Sequence, residues 1–304
     1  MKGFSTALST LLGRPVLENE PLARHTTFRI GGPAELFIVV ESVSELEEAV
    51  SLARREGFPW FILGGGSNVL VADEGVRGLV IANRAGAFRF SEVEGKGGIL
   101  RAESGASLRR LAWWAVRRGW GGLEWAVGIP GTVGGAVFGN AGAHGSSMAN
   151  LVTHVSFLDG KGVRREMRGD ELGFGYRTSR FKSDEVLLDA ELLLNARPRS
   201  ELEEAARRYM AHRRAEQPRE PSAGSVFKNP PGHRAARLIE EAGLKGLSYG
   251  EAQVSEKHAN FIVNLGQARA QDVFRLIEHI RQTVWEKFGV RLELEIRLVG
   301  EWPE

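Results

Sequence analysis

Residues 128–145 read GIPGTVGGAVFGNAGAHG, a stretch with seven glycines and no Asp, Glu, Lys or Arg in a chain whose residues are 26% charged. Pro130 holds Ile129 extended, and Gly131, Gly134 and Gly135 remove side chains where something bulky approaches the main chain. Tight β-turns are the alternative interpretation, because turn geometry also demands glycine. The stretch therefore predicts either a series of turns or a surface on which a ligand lies against bare backbone.

A second glycine cluster, LGGGSNVL at residues 63–70, overlaps the end of the strand pattern WFIL. Three consecutive glycines permit positive φ angles and let successive backbone N–H groups point at one anion, for which a diphosphate is the natural guest. The chain has no GxxxxGK[ST] motif and no GxGxxG that opens a helix with an acid about twenty residues later, which excludes a P-loop and a Rossmann site. Two clusters of this length favour a ligand over turns alone.

Composition excludes several classes of protein. The net charge of the 304 residues is only +2, and the basic residues are mixed with acidic ones and lack interleaved aromatics, so no nucleic-acid partner is expected. Cysteine is absent, and the seven histidines show no metal-ligand spacing, so we expect neither thiolate chemistry nor a metal site. No apolar run is long enough to span a membrane, and the N-terminus lacks a cleavage signal, which predicts a cytoplasmic protein without membrane insertion.

Short strand patterns alternate with a few amphipathic helices, which predicts an α+β fold in at least two parts. Ser44 and Glu47 form an S-x-x-E capping box and Gly57 offers a positive φ, so one helix is predicted between them. Strand patterns flank this helix, and residues 34–64 therefore predict a βαβ unit. The other predicted elements are helices at 107–118, 200–217, 233–242 and before Gly289, a hairpin of VTHVSFLD and VRREM, and strands at EVLLDAELLLN, HANFIVN and RLELEIRLVG.

Seven segments carry a resemblance, and in chain order they are TTFRIGGPAELF, LGGGSNVLVAD, GIPGTVGGAVFGNAGAHG, YRTSRF, SAGSVFKNP, AQVSEKHANFIVN and LELEIRLVG. From about residue 24 to residue 300 the chain resembles the UDP-N-acetylenolpyruvoylglucosamine reductase (MurB) family of flavoenzymes, in the branch that lacks an extra tyrosine-bearing loop. The resemblance implies an FAD-binding fold of the vanillyl-alcohol oxidase type in two subdomains, at 1–84 and 85–198. A separate α+β substrate-binding domain with an opening helix is implied at 199–304.

The resemblance also implies the reaction. NADPH reduces a non-covalent FAD, which then passes hydride to the enolpyruvyl group of UDP-N-acetylglucosamine enolpyruvate to give UDP-N-acetylmuramate for peptidoglycan. We expect a monomer. Two other readings are a colourless binding or structural module, and a flavoprotein of the same fold that oxidises a small alcohol or hydroxy acid with O₂.

The resemblance assigns roles to particular residues. Hydride addition places negative charge on the substrate carboxylate, which an arginine is suited to bind, and the family motif puts this arginine at Arg177. Ser225 is the implied proton donor, and Glu295, in a motif that reads LELE where many relatives have LEPE or LERE, shares the work of Arg177 or assists protonation. The implied FAD contacts are Gly64, Gly65, Gly66, Ser67, Asn68, Gly128, Ile129, Gly131, Gly135 and Asn140.

Substrate contacts are expected from polar residues of the last third of the chain. If SVFKN is extended, Ser225, Phe227 and Asn229 share one face and Lys228 points to the other. Lys228 would then need a bulge or turn to assist Ser225 directly. The expected substrate-binding residues are Lys228, Asn229, Gln253, Lys257 and His258, with Asn260 in the same polar cluster.

Overall fold

A computed structural model describes residues 2–93 and 97–302 and divides the chain into two compact units. Unit one comprises Met1–Leu17, Leu36–Gly65 and Gly78–Arg213, and unit two comprises Glu18–Glu35, Gly66–Arg77 and Arg214–Glu304. Each unit therefore combines segments that are distant in the sequence.

Helices and strands have the following bounds. The α-helices are α1 Lys2–Leu12, α2 Val43–Arg55, α3 Leu108–Val116, α4 Val133–Phe138, α5 Arg199–Glu216, α6 Ala235–Glu241 and α7 Ala270–Phe288. The strands are β1 Leu17–Pro21, β2 Pro33–Val40, β3 Trp60–Leu63, β4 Val69–Val71, β5 Val76–Asn83, β6 Phe88–Val93, β7 Gly97–Glu103, β8 Trp120–Gly121, β9 Gly142–Ala143, β10 Ser146–Ser147, β11 Val152–Leu158, β12 Arg164–Arg168, β13 Val186–Ala196, β14 Ser248–Tyr249, β15 Ala252–Val254, β16 Ile262–Asn264 and β17 Arg297–Val299. Short 3-10 helices occupy Leu22–His25, Glu124–Ala126, Met148–Asn150 and Gly169–Glu171.

The first helix predicted from the sequence begins earlier than its capping box suggested. Ser42, not Ser44, caps α2 through an acceptor contact to the Glu45 N–H at 3.2 Å. The Glu45 carboxylate accepts from the N–H of Glu41, the residue before the cap, at 2.7 Å, so the bonds that start the helix lie two residues upstream of Ser44 and Glu47. The S-x-x-E pattern occurs twice in overlap, and the earlier copy lets Val43 enter the helix.

The predicted βαβ segment is present, but its two strands are not neighbours. Strand β3 pairs in parallel with β5, which lies between β2 and β3. Helix α2 buries an apolar stripe against these strands together with α1, in a core that includes Leu46, Ala49, Val50 and Ala53. Gly57 has φ +62° and follows the end of α2, as predicted.

A larger antiparallel sheet completes unit one. Its strands run in the order β12, β11, β13, β7 and β6, and β8 pairs with the end of β13. The hairpin of β11 and β12 and the long strand β13 confirm the sequence prediction. Helices α3 and α4 pack on this sheet, and α5 adds its buried residues Leu202 and Ala206 to the same core.

Unit two packs α6 and α7 against a small sheet of β14, β15 and β16. Helix α7 ends at Gly289, whose φ of +66° agrees with the prediction. Its first N–H groups, on Ala270 and Gln271, are bound by the two carboxylate oxygens of Asp73 at 2.9 and 3.0 Å. Asp73 thus caps a helix that begins 197 residues later in the chain.

The terminal segment RLELEIRLVG is not one strand, contrary to the prediction. Only Arg297–Val299 form β17, which pairs in parallel with β4. The residues before it pair with SVFKN instead, because Lys228 N–H donates to the Glu293 carbonyl and Glu295 N–H donates to the Val226 carbonyl, both at 2.8 Å. A segment that changes partners halfway cannot continue one regular ladder.

Candidate active site

The two glycine clusters meet in unit one. A Cβ atom on Gly64 would lie 2.8 Å from Thr132 Oγ1, and one on Gly65 would lie 2.7 Å from the Gly131 Cα atom. Because the second obstacle is backbone, no rotamer change could relieve it. The Arg84 guanidinium also donates to the Gly64 carbonyl at 2.7 Å. The bare backbone at 64–65 is therefore required by its packing against the second cluster.

Gly135 has no such reason to be glycine. It lies in helix α4. A glycine inside a helix destabilises it by about 1 kcal/mol relative to an alanine. A Cβ at this exposed position would meet only Thr132 Oγ1, at an ordinary 3.6 Å. The protein itself has room for a methyl group here, so the glycine fits a ligand that approaches α4 from outside. Such a bare, exposed helix turn beside the first cluster suits a flat cofactor such as FAD.

Asn140 connects the second cluster to the YRTSRF segment. It is buried, with 8% of its surface exposed, and its backbone has φ +41°. Its side-chain amide donates to the Gly175 carbonyl at 2.8 Å, and its side-chain oxygen accepts from the Ala149 N–H at 3.0 Å. Asn140 therefore positions the loop before Arg177, while its contact with FAD stays a prediction.

Arg177 is held in an uncommon conformation. Its φ is +57°, a value that costs a non-glycine residue roughly 1–2 kcal/mol and that the surrounding contacts must stabilise. Arg177 Nη1 donates to the Gly142 carbonyl at 2.9 Å, and Ser179 Oγ donates to the Phe138 carbonyl at 2.7 Å. The half-buried guanidinium is thus fixed against the second glycine cluster.

The structure brings Ser225 and Glu295 together in unit two. Ser225 lies opposite Phe261 in an isolated β-bridge, and the carbonyl of the next residue, Val226, accepts from the Glu295 N–H at 2.8 Å. Asn260 is buried and fixes the same segment, because its side chain bonds both the N–H and the carbonyl of Phe227. The backbones of the two implied proton-transfer residues are therefore neighbours.

The shared face expected for Ser225, Phe227 and Asn229 stays a prediction, because the segment has neighbours on both sides. Val226 and Phe227 are both only 1% exposed and join the core of unit two, whereas Asn229 is exposed. Ser225 forms an isolated bridge with Phe261, and Phe227 forms one with Leu294. Lys228 Nζ lies 3.5 Å from the Glu293 carboxylate, in an exposed pair whose worth is about 0–1 kcal/mol.

The first glycine cluster continues into unit two. Thr27 N–H donates to the Gly66 carbonyl at 3.0 Å. The side-chain amide of Asn68 donates to the Glu295 carbonyl at 3.0 Å, while the Asn68 carbonyl accepts from the Arg297 N–H at 2.9 Å. Asn68 therefore fixes the backbone of Glu295, and its contact with a pyrophosphate stays a prediction.

The remaining predicted substrate residues all have protein partners in unit two. Asn229 accepts from the Ala235 N–H at 3.0 Å at the start of α6. Gln253 donates to Ser248 Oγ at 3.1 Å, and Lys257 Nζ donates to the Arg214 carbonyl at 2.5 Å. Burial lowers the pKa of the His258 imidazole, whose ring packs edge-on against Phe261 at 4.8 Å.

Sequence reasoning missed Arg84 and Thr132. Thr132 caps α4 through the Gly135 N–H at 3.4 Å, and a Thr before a helix is a recognisable signal. Arg84 carried no signal, because one arginine after a strand resembles any surface arginine. Among the residues described, no group of three or more His, Asp or Glu could hold a metal ion, and no helix is long and apolar enough to cross a membrane.

Comparisons with known proteins place these features in a family. Residues 34–168 match the model of an FAD binding domain, and residues 217–299 match that of the UDP-N-acetylenolpyruvoylglucosamine reductase C-terminal domain. The chain is 50% identical over 287 residues to UDP-N-acetylenolpyruvoylglucosamine reductase 2 of Symbiobacterium thermophilum, covering 93% of this chain and 92% of that protein. It is 47% identical over 295 residues to the reductase of Moorella thermoacetica, covering 97% and 96%.

A crystal structure of the reductase (MurB) from Thermus caldophilus resembles the present one with a TM-score of 0.79 and 39% identity, over 94% of this chain and 99% of that chain. This likeness and the FAD-binding model confirm the α+β, FAD-binding fold that the motifs implied. The chain belongs to the UDP-N-acetylenolpyruvoylglucosamine reductase (MurB) family.

Proposed function

We propose that this protein is a UDP-N-acetylmuramate dehydrogenase, in which NADPH reduces FAD and the flavin reduces the enolpyruvyl group of UDP-N-acetylglucosamine enolpyruvate. The observation that carries the cofactor is the exposed helical Gly135, which has room for a methyl group and belongs to the second of two glycine clusters that contact each other. The two relatives named above are reductases of this name, and the chain matches them over almost their whole length. Bound FAD would supply the hydride.

The residues that would hold FAD belong to both clusters. Gly64, Gly65 and Gly66 would offer backbone N–H groups without side chains in the way, and Ser67 would add its own N–H, which suits a pyrophosphate. Gly128, Ile129, Gly131 and Gly135 would face the rest of the cofactor. No charged side chain is needed for this, because oriented amides bind anions themselves.

Arg177 would bind the substrate carboxylate. Its guanidinium is always charged and can donate two parallel N–H bonds to a carboxylate whose charge grows as hydride adds to the terminal carbon. The backbone contacts that fix Arg177 remove conformational freedom before the substrate arrives.

Ser225 would give a proton to the carbon next to the carboxylate. A serine hydroxyl is a weak acid, so the alkoxide that remains must be stabilised or reprotonated at once. Glu295 would take part in that proton transfer, and the bond from its backbone N–H to the carbonyl of Val226, the neighbour of Ser225, supports this proposal. Lys228 would contribute positive charge or contact the substrate phosphates.

The first test is the visible spectrum of the purified protein under anaerobic conditions. We expect a flavin spectrum that NADPH bleaches and UDP-N-acetylglucosamine enolpyruvate restores. A colourless protein, or a flavin that stays oxidised with NADPH, would refute the proposal. We also expect a cytoplasmic monomer, which sedimentation and cell fractionation would check.

The second test separates the two half-reactions. The Ser225→Ala variant should keep flavin reduction by NADPH and lose reduction of the enolpyruvyl group. Rapid mixing with each substrate in turn measures the two rates. Equal loss of both rates would remove Ser225 from the role of proton donor.

A further inference from the structure

A group of basic side chains in unit one has no part in the mechanism above. His144 lies at the turn between β9 and β10 with φ +54°, and its ring stacks on Tyr209 of α5 at 4.1 Å with an interplanar angle of 14°. His212, one helical turn further along α5, meets the His144 ring edge-on at 5.6 Å. We call His144, Arg208, His212 and Arg213 the α5 basic cluster.

Arg213 joins this cluster to the second glycine cluster. A Cβ on Gly128 would lie 2.9 Å from Arg213 Cδ and 3.0 Å from Met210 Sδ, so the stem of Arg213 passes directly over the backbone of Gly128. Gly142, at the base of the hairpin that carries His144, accepts the hydrogen bond from Arg177. The basic cluster therefore borders the loops that hold the implied catalytic arginine.

The cluster lacks acidic partners. The ion pairs of α5 lie in its first half, where Glu201 pairs with Arg197 and Glu203 with Arg199. In the part of the chain that the structure describes, no ion pair joins a carboxylate to a member of the cluster. His144 and Arg208 both contact the Tyr209 ring, and the charges of His212 and Arg213 act on His144.

The electrostatic consequence is visible at two positions. Burial, and then the charges of His212, Arg213 and Arg208, lower the pKa of the His144 imidazole. Burial also lowers the pKa of the Arg213 guanidinium. Positive charge is therefore unfavourable here in the free protein, and a bound anion would relieve the repulsion.

We propose that the α5 basic cluster is a subsite for a phosphate ester of the nucleotide that exchanges during turnover. This inference rests on the proposed function, in which the FAD pyrophosphate belongs to residues 64–68 and two further phosphorylated nucleotides must bind. His144, Arg208 and His212 are exposed, so a ligand from solution can reach them. The phosphate is either the 2′-phosphate of NADPH or the diphosphate of the UDP sugar.

The test uses the holoenzyme and the variants Arg208→Ala, His212→Asn and the double variant. Arg207→Ala is the matched control, because Arg207 is an exposed neighbour on α5 whose charge acts on Glu203 and not on His144. FAD absorbance and thermal unfolding show whether each variant is intact. Rapid mixing then gives dissociation constants for NADPH, NADH and the enolpyruvyl UDP sugar.

We expect the double variant to bind at least one of the phosphorylated ligands tenfold more weakly or worse, while the dissociation constants of the control stay within twofold of those of the parent. Weaker binding of NADPH with unchanged binding of NADH identifies the 2′-phosphate as the ligand. Weaker binding of the UDP sugar with unchanged binding of both pyridine nucleotides identifies the diphosphate. Equal affinities in the double variant and the control would overturn the proposal.

A second measurement does not depend on turnover. In the proposed subsite, inorganic pyrophosphate added at constant ionic strength should raise the pKa of His144, observed by NMR of its ring protons, and should not do so in the double variant. No response of His144 to pyrophosphate or to 2′,5′-ADP would refute the subsite. Failure of NADPH to reduce the flavin would refute the proposed function and leave this titration interpretable.

Discussion

Replacing Gly135 by alanine tests whether a ligand, and not the protein, requires a glycine in α4. The new methyl group would lie 3.6 Å from Thr132 Oγ1 and meet no other heavy atom within 4 Å. Alanine is better than glycine in a helix by about 1 kcal/mol. The FAD-free protein should therefore be as stable as the parent or more so, by up to about 1 kcal/mol or roughly 1–2 °C in melting temperature.

Binding of FAD should change in the opposite direction. A methyl group forced into a filled interface costs about 1–3 kcal/mol, which corresponds to a roughly 5- to 150-fold weaker FAD complex. The assay removes FAD, measures unfolding of the apoprotein, and then titrates FAD by quenching of its fluorescence. An unchanged FAD affinity would show that no cofactor lies against Gly135.

Gly65→Ala is the matched control, with the reverse expectation. Its Cβ would lie 2.7 Å from the Gly131 Cα atom, so the apoprotein itself should lose about 1–3 kcal/mol of stability. If both alanine variants destabilise the apoprotein equally, the distinction between glycines required by the fold and glycines required by a ligand is wrong.

Other perturbations test the anchoring contacts. Asn68→Ala removes the hydrogen bond to the Glu295 carbonyl, so reoxidation of the flavin by the enolpyruvyl sugar should slow more than its reduction by NADPH, and equal slowing of the two half-reactions would contradict this. Asp73→Ala leaves two N–H groups of α7 without their cap and should cost about 0.5–2 kcal/mol in chemical unfolding, with Asp73→Asn milder. The lowered pKa of His258 means that the unfolded chain takes up the proton first, so stability should fall as pH drops below about 6.5, and His258→Gln should flatten that slope.

Local sequence signals predicted the ends of helices more reliably than their beginnings. Gly57 and Gly289 both adopt the left-handed conformation that ends a helix, and this preference belongs to glycine itself. The start of α2 was ambiguous because two S-x-x-E boxes overlap, and the choice of Ser42 depends on which apolar residues the core takes.

Pairings between distant segments could not be predicted from periodicity. Strand β5 lies between β2 and β3, and the terminal segment divides its hydrogen bonds between SVFKN and β4. Both arrangements depend on which segments meet in the folded chain. A period of two residues describes one strand and carries no information on its neighbours.

Motifs located the candidate site, but they did not separate ligand contacts from supporting contacts. Asn140, Asn229 and Asn260 all carry polar side chains in family motifs, and each side chain binds a backbone group of the protein. A buried amide must be satisfied, and from sequence alone a neighbouring peptide and a ligand look the same. His144 and Tyr209 were missed as a pair because 65 residues separate them and only their stacking joins them.

The composite make-up of unit two has a consequence for synthesis on the ribosome. Phe28, Ile30 and Leu70 are buried among residues that extend to Ile296. At about 5–20 residues per second, these early apolar side chains wait roughly 10–55 s before their last partners are made. A chain released after residue 213 would expose them permanently, so we expect such fragments to aggregate or to be captured by chaperones.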